Sequence, residues 1–142
     1  MKPSETMVGG RHYQVPIQPV HYIHENLMNF MEGCVVKYMT RWRVKGSPLS
    51  DLKKSIHFIE LIIELEGLKP NEIEEKRKNQ VIAIDPAEYA HANRLNFLEG
   101  TVIDRITTWR TQEYPHAFLT ETKNLISKLI TLENLKDAEH DH

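Results

Sequence analysis

The chain has 142 residues, a formal net charge of -2 and a single cysteine, Cys34. That length fits one domain or two small repeats sharing a core, with enough buried surface to fold without covalent staples. The charge excludes a global pull toward nucleic acid or anionic membrane, and the lone cysteine excludes an intrachain disulfide, as suits a reducing cytosol. No apolar run approaches the ~20 residues of a membrane span. The opening MKPSETMVGGRHY lacks the apolar core of a secretory signal. A cytoplasmic protein is expected.

In chain order, residues 1–11 are polar with a Gly9-Gly10 pair and read as a mobile arm. Tyr22, Ile23, Leu27 and Phe30 recur at helical spacing and predict a helix over Val20–Met31. Gly33 then reads as a helix stop. Val35, Met39 and Trp42 mark the apolar stripe of a second helix, Val35–Val44, which ends at Gly46. Ser47-Pro48 places a candidate N-cap before a proline at the first helical position. The third helix, Leu49–Glu66, carries Leu52, Ile56, Ile59, Ile62 and Ile63 inward and stops at Gly67. Residues 68–83, with the charged run Glu72–Lys78, read as a linker or an exposed helix. Three further helices are expected at Ala87–Leu98, Thr101–Thr111 and His116–Leu135, with a stop at Gly100. The tail DAEHDH reads as disordered.

The second set of helices repeats the first. PVHYIHENLMNFMEGCVVKYMTRWR (19–43) aligns without a gap to PAEYAHANRLNFLEGTVIDRITTWR (86–110), with about half the positions identical. Leu119, Ile126, Leu129 and Ile130 fall in register with Leu52, Ile59, Ile62 and Ile63. No segment alternates like a strand. The fold expected is all-α: two tandem three-helix repeats packed about a pseudo-twofold. The first repeat with its arm spans 1–67, the linker 68–83, the second repeat 84–135 and the tail 136–142.

The repeats differ in charge. Lys37, Arg41 and Lys45 lie four residues apart, on one helix face away from Val35 and Met39. Their counterparts are Asp104, Thr108 and Gln112. Like charges on one stripe repel by a few tenths of a kcal/mol per pair unless an anion sits there. Arginine grips phosphate oxygens with a bidentate fork and lysine adds a compact charge. Lys54 adds a fourth cation just past the turn. Asp51 can accept from Arg41 or from a ribose hydroxyl. The competing reading is a solvated face with an incidental cluster; loss of the cations from one copy of a retained scaffold favours a functional first copy.

The run His12-Tyr13, Ile17–Pro19, Gly33-x-x-x-Lys37-Tyr38, Arg41, Lys45-Gly46 and Asp51–Lys54 resembles the small phage-encoded domain of unknown function called SaV-like. The likeness covers about residues 12–65. A nucleotide kinase of T7-like phages carries a similar domain, so the resemblance implies nucleotide or phosphate handling in a host cell cytoplasm. Cys34, Ser55 and Phe58 depart from the usual Asn, Ala and Tyr. In the second copy Asp104-Arg105 replaces Lys-Tyr and the DLKK element is missing, which marks it as degenerate.

Other chemistries are less well served. There is no phosphate loop and no dinucleotide fingerprint. A kinase would need ATP and Mg2+ with a carboxylate to carry the metal, and only Asp51 and Glu32 stand near the stripe. Glu32 recurs as Glu99 in the copy without cations, which favours a capping role. His21 and His24 have no further ligand at metal spacing, and His24 recurs as His91, which suggests packing or hydrogen bonding. Glu72 and Glu75 lack the partner cluster an all-α pyrophosphohydrolase needs. Trp42 recurs as Trp109 and reads as core, leaving Tyr13 and Tyr38 as candidates to stack on a base. The expectation is a nucleotide-binding protein whose ligand meets His12, Tyr13, Lys37, Tyr38, Arg41, Lys45, Asp51 and Lys54, with no metal site. It acts either as a nucleoside monophosphate kinase or as a non-enzymatic sponge for host immune signalling nucleotides. A homo-oligomer is expected, in which the His12-Tyr13 arm of one chain covers the stripe of another.

Overall fold

The computed structural model of the chain describes residues 2–3, 15–44, 46–74 and 80–135. The expected tail, most of the arm, part of the linker, and the site candidates His12, Tyr13 and Lys45 lie outside the described residues. The helices are α1 (Pro19–Glu25), α2 (Phe30–Arg41), α3 (Pro48–Leu65), α4 (Pro86–Ala92), α5 (Phe97–Thr108) and α6 (Pro115–Leu132), with one 3-10 turn at Trp109–Thr111. The described residues contain no strand, and the chain is all-α as its periodicity predicts. No described helix is long and apolar enough to cross a membrane.

Four of these helices begin on a proline at the first helical position, where the missing N–H costs nothing. Gln18, Ser47 and Tyr114 precede three of them without a side-chain cap, and only Asp85 caps its helix, accepting from Ala87 N. The other two, α2 and α5, open on capping boxes. Asn29 Oδ1 accepts from Glu32 N at 2.8 Å, and Asn29 N donates to Glu32 Oε1 at 2.9 Å. Asn96 and Glu99 repeat this at 2.8 and 2.7 Å.

These boxes move the expected helix breaks. The chain turns at Asn26–Asn29 and at Asn93–Asn96, where Leu27 and Arg94 adopt φ of 53° and 55°. Gly33 and Gly100 are not stops; they lie within α2 and α5. A Cβ at Gly33 would meet Ile23 Cγ2 at 3.1 Å, and one at Gly100 would meet Ala90 Cβ at 3.1 Å. Glycine there lets each short helix lie against the long one that follows. Leu27 and Phe30, expected on an inward face, are therefore exposed. Gly67 does end a helix region, at φ 66°.

The core is continuous across both halves. Tyr22, Val35, Met39, Leu52, Ile59 and Ile62 are fully buried with Tyr89, Val102, Ile106, Leu119 and Ile126. Each such aliphatic side chain contributes about 1.5–3 kcal/mol on burial. Contacts between the halves are reciprocal. Tyr22 and Tyr89 pack with ring centroids 4.4 Å apart. Tyr22 Oη meets Thr107 Oγ1 at 2.7 Å, and Tyr89 Oη meets Thr40 Oγ1 at 2.6 Å. Trp42 Nε1 donates to Glu99 Oε2 at 2.6 Å, and Trp109 Nε1 to Glu32 Oε2 at 2.7 Å. Arg43 bridges Glu99 and Glu133, while Arg110 bridges Glu32 and Glu66. Asn26 binds the backbone of Ile84, and Asn93 that of Ile17. Each pair recurs with the halves exchanged, which is the contact pattern of an isologous association.

The described part of segment 68–83 is tied down rather than free or helical. Leu68 is buried, Glu74 N donates to Glu113 O at 3.0 Å, and Gln80 Nε2 donates to Thr107 O.

Burial lifts the phenols of Tyr22 and Tyr89 well above their ordinary value of 10.0, although Thr107 and Thr40 oppose this through hydrogen bonds. A raised folded-state value means the neutral phenol is favoured by folding. That stability is fully present below the unfolded value and is lost as pH climbs past it. The melting temperature should therefore fall above about pH 10. The Tyr22→Phe variant should show a shallower fall; an equal slope would separate the alkaline transition from this phenol.

Candidate functional site

The cationic cluster forms where the last two turns of α2 face the first two turns of α3. Tyr38 is its centre. The ring is nearly buried, with Lys37 Nζ 4.6 Å, Arg41 Cζ 4.7 Å and Lys54 Nζ 5.6 Å from its centroid. Cations over an aromatic face gain about 0.5–2 kcal/mol depending on desolvation. The ring thus offsets part of the repulsion among three like charges.

Arg41 is 5% exposed rather than on a solvated face, and its Nε lies 3.4 Å from Oδ2 of Asp51, the partner anticipated for it, on a residue 1% exposed. Among the described residues Asp51 Oδ2 accepts no hydrogen bond. Asp51 is thus a buried anchor beneath the cluster. Lys37 is half-buried and Lys54 exposed, and neither has an ion-pair partner among the described residues. The cluster therefore gathers Lys37, Arg41 and Lys54 around the Tyr38 ring, with the Asp51 carboxylate beneath Arg41.

The matching place in the second half is closed by its own side chains. Arg105 stands where Tyr38 stands and lies over the Phe118 ring at 3.7 Å, Phe118 replacing Asp51. Arg105 donates to Thr122 Oγ1, to Phe118 O and to Glu121 Oε2, at 2.9, 2.8 and 2.9 Å. Glu121 is the counterpart of Lys54 and Asp104 that of Lys37. One cation faces two carboxylates there. Asp104 makes no ion pair with the first-half cluster among the described residues. Burial and then the nearby Asp85 raise its carboxyl, against Arg105.

Cys34 lies one turn before the cluster and is buried. Burial pushes its thiol up, against Lys37 and Arg41, so it stays a thiol at neutral pH and is no nucleophile. Trp42 and Trp109 are core residues as the repeat predicts, at 2% and 3% exposure, with Arg43 and Arg110 over their outer faces. Glu32 caps α2 as expected and also accepts from Trp109 and Arg110, so both its oxygens are engaged. His24 and His91 are exposed, so they do not pack in the core. Among the described residues no group of three or more His, Cys, Asp or Glu could hold a metal ion.

Of the stripe read from spacing, Lys37, Arg41 and Lys45, the structure describes the first two and brings them together around Tyr38 with Lys54, the cation expected just past the turn. It does not reveal the aromatic ladder beside them. Tyr38 stacks on Phe58 at 6.1 Å between centroids, and Phe58 meets the Phe30 ring edge-on at 5.9 Å. The available signal is Phe58 against Leu125, an aromatic in the first half only. An open groove of about 510 Å³ lies elsewhere, between the end of α3 and the start of α6. Its Glu60 pairs with Lys123 at 3.7 Å, and it has no surplus of cations.

The family described as a protein of unknown function, DUF3310, matches residues 7–60. That segment contains every candidate ligand-binding residue named from the sequence and stops before the second half. No curated protein and no solved structure matches the chain.

Proposed function

We propose that this chain binds a phosphorylated nucleotide on its first half. The observation that carries the reading is the convergence of Lys37, Arg41 and Lys54 on the Tyr38 ring above a buried Asp51. The equivalent cluster in the second half is reversed in charge and filled by Arg105. Phosphate oxygens suit this cluster: they put several acceptors on one compact anion, matched to a guanidinium fork and two ammonium groups. His12, Tyr13 and Lys45 join the site in this reading because they lie within the family-matched segment. The site is completed by a second chain, in a homo-oligomer acting in the cytoplasm of a phage-infected host.

A binder is favoured over a kinase. Of the two carboxylates near the stripe, Glu32 is engaged by the other half's Trp109 and Arg110, and Asp51 is buried against Arg41. Among the described residues this leaves no second acidic group beside Asp51 to share Mg2+. A protein that holds signalling nucleotides and returns them unchanged fits these residues.

Calorimetric titration with mono-, di-, tri- and cyclic nucleotides tests the site. One class should bind with a stoichiometry of one per chain, since only one cluster is open. Affinity should fall as salt rises, because the contacts are ionic. Absence of binding across the panel, or two equal sites per chain, overturns the reading. Incubation with ATP, Mg2+ and each nucleoside monophosphate should return both nucleotides unaltered; a diphosphate product assigns the kinase instead.

A further inference from the structure

The cationic cluster is one end of a longer strip. Along α2, Phe30, Cys34, Tyr38 and Arg41 follow one another at helical spacing; along α3, running back, come Asp51, Lys54 and Phe58. Charge is confined to the end nearest the α2–α3 turn. The other end is aromatic. Phe58 is half-buried between Tyr38 and Phe30, and Phe30 is 72% exposed. His57 stands edge-on to Phe58 at 6.1 Å and is exposed.

Tyr38 does not offer a face to a base. The residue is 8% exposed, and three cations and Phe58 lie against its ring. The ring surface left for stacking lies one step further, at Phe58 and Phe30. The second half lacks this arrangement. Phe97 matches Phe30 and is 82% exposed, but Leu125 replaces Phe58 and Arg105 replaces Tyr38. Exposure of a phenylalanine at this position is thus common to both halves, while the ladder that joins it to a cation cluster belongs to one.

We propose, resting on the nucleotide-binding reading, that Phe30 and Phe58 form the base subsite of the ligand, with its phosphates on Lys37, Arg41 and Lys54. A nucleotide has this polarity: a flat apolar ring at one end, an anion at the other, and a sugar between. Stacking on an aromatic face accepts any base, because every base has a π-face. Selectivity then comes from the base edge, and His57 is placed to read it through a ring nitrogen.

The test compares a nucleotide with the same sugar phosphate lacking a base. AMP, GMP, CMP and UMP are titrated beside ribose 5-phosphate into the full chain and into Phe30→Ala, Phe58→Leu and Phe97→Ala. Phe30→Ala should weaken the monophosphates by about fivefold or more and leave ribose 5-phosphate unchanged. Phe58→Leu, which installs the residue found at position 125, should show the same selectivity. Phe97→Ala should change neither probe. If Phe30→Ala leaves the monophosphates unchanged, or weakens ribose 5-phosphate equally, the base subsite is wrong while the phosphate site stands. If no probe binds the unaltered chain, the nucleotide reading itself fails.

Discussion

Glu99→Ala and Glu32→Ala should destabilise the chain by similar amounts, about 2–4 kcal/mol each. Each glutamate does three things at once. It closes the capping box of its own helix, worth about 1 kcal/mol. It accepts the indole N–H of the opposite half's tryptophan, which would otherwise be a buried donor without a partner, at a cost of about 1–3 kcal/mol. It also pairs with an arginine, a smaller contribution because Arg43 is 43% exposed in its side chain and keeps Glu133, while Arg110 keeps Glu66. Thermal or urea unfolding measures the cost. Trp42→Phe and Trp109→Phe remove the indole N–H together with part of the ring, so their cost includes a cavity as well as the hydrogen bond. If one glutamate proves silent while the other is costly, the two halves are not braced reciprocally and that half carries its own stability.

These reciprocal bridges were only partly legible in the sequence. Asn29-x-x-Glu32 and Asn96-x-x-Glu99 are capping-box spacings, readable without coordinates. Taking Gly33 as a stop hides the first box, because a glycine can serve close packing as well as a helix end. Only the approach of Ile23, 3.1 Å from where a Cβ would sit, tells the two apart. The second job of Glu32 depends on Trp109, far along the chain, and no local pattern predicts it. Helix α3 was legible nearly to the residue, and so was the start of α6, since Leu52, Ile59 and Ile62 and their counterparts keep a strong period; α6 ends at Leu132, short of the expected Leu135. Leu27 shows the limit of periodicity: it fits the helical spacing, yet it sits at positive φ, 84% exposed.

The candidate site shows the same division. Spacing places Lys37 and Arg41 on adjacent turns of one helix, and the contrast with Asp104 and Thr108 marks them as the half that differs. It cannot show that Arg41 is buried, because the partner that permits burial, Asp51, comes from the next helix. Nor can it show that three cations share one ring. Both are products of α2 packing against α3, and they decide how the site can be tested.

Transferring the second half's charges to the first should abolish nucleotide binding without unfolding the chain. The variant is Lys37→Asp with Lys54→Glu, each taking the residue found at its counterpart, Asp104 or Glu121. A charge-assisted contact is worth about 1.5–3 kcal/mol, so losing two should weaken binding by roughly a hundredfold to ten-thousandfold. The melting temperature should fall modestly, since both lysines lose their contact with the Tyr38 ring but neither has an ion-pair partner among the described residues. Arg41→Ala is a poorer probe alone. It strands Asp51 as an uncompensated buried charge, at about 3–5 kcal/mol, so lost binding and lost folding would coincide. Arg41→Ala with Asp51→Ala avoids that and should lose binding in a chain that still folds. The comparison is Thr108→Ala, the counterpart of Arg41, which loses only a 2.9 Å hydrogen bond to Asp104 O within its helix. It should bind as the unaltered chain does. Calorimetry on variants shown to be folded decides the matter: full affinity in the doubly reversed chain, or equal losses from the Thr108 and Arg41 changes, would move the site away from this cluster.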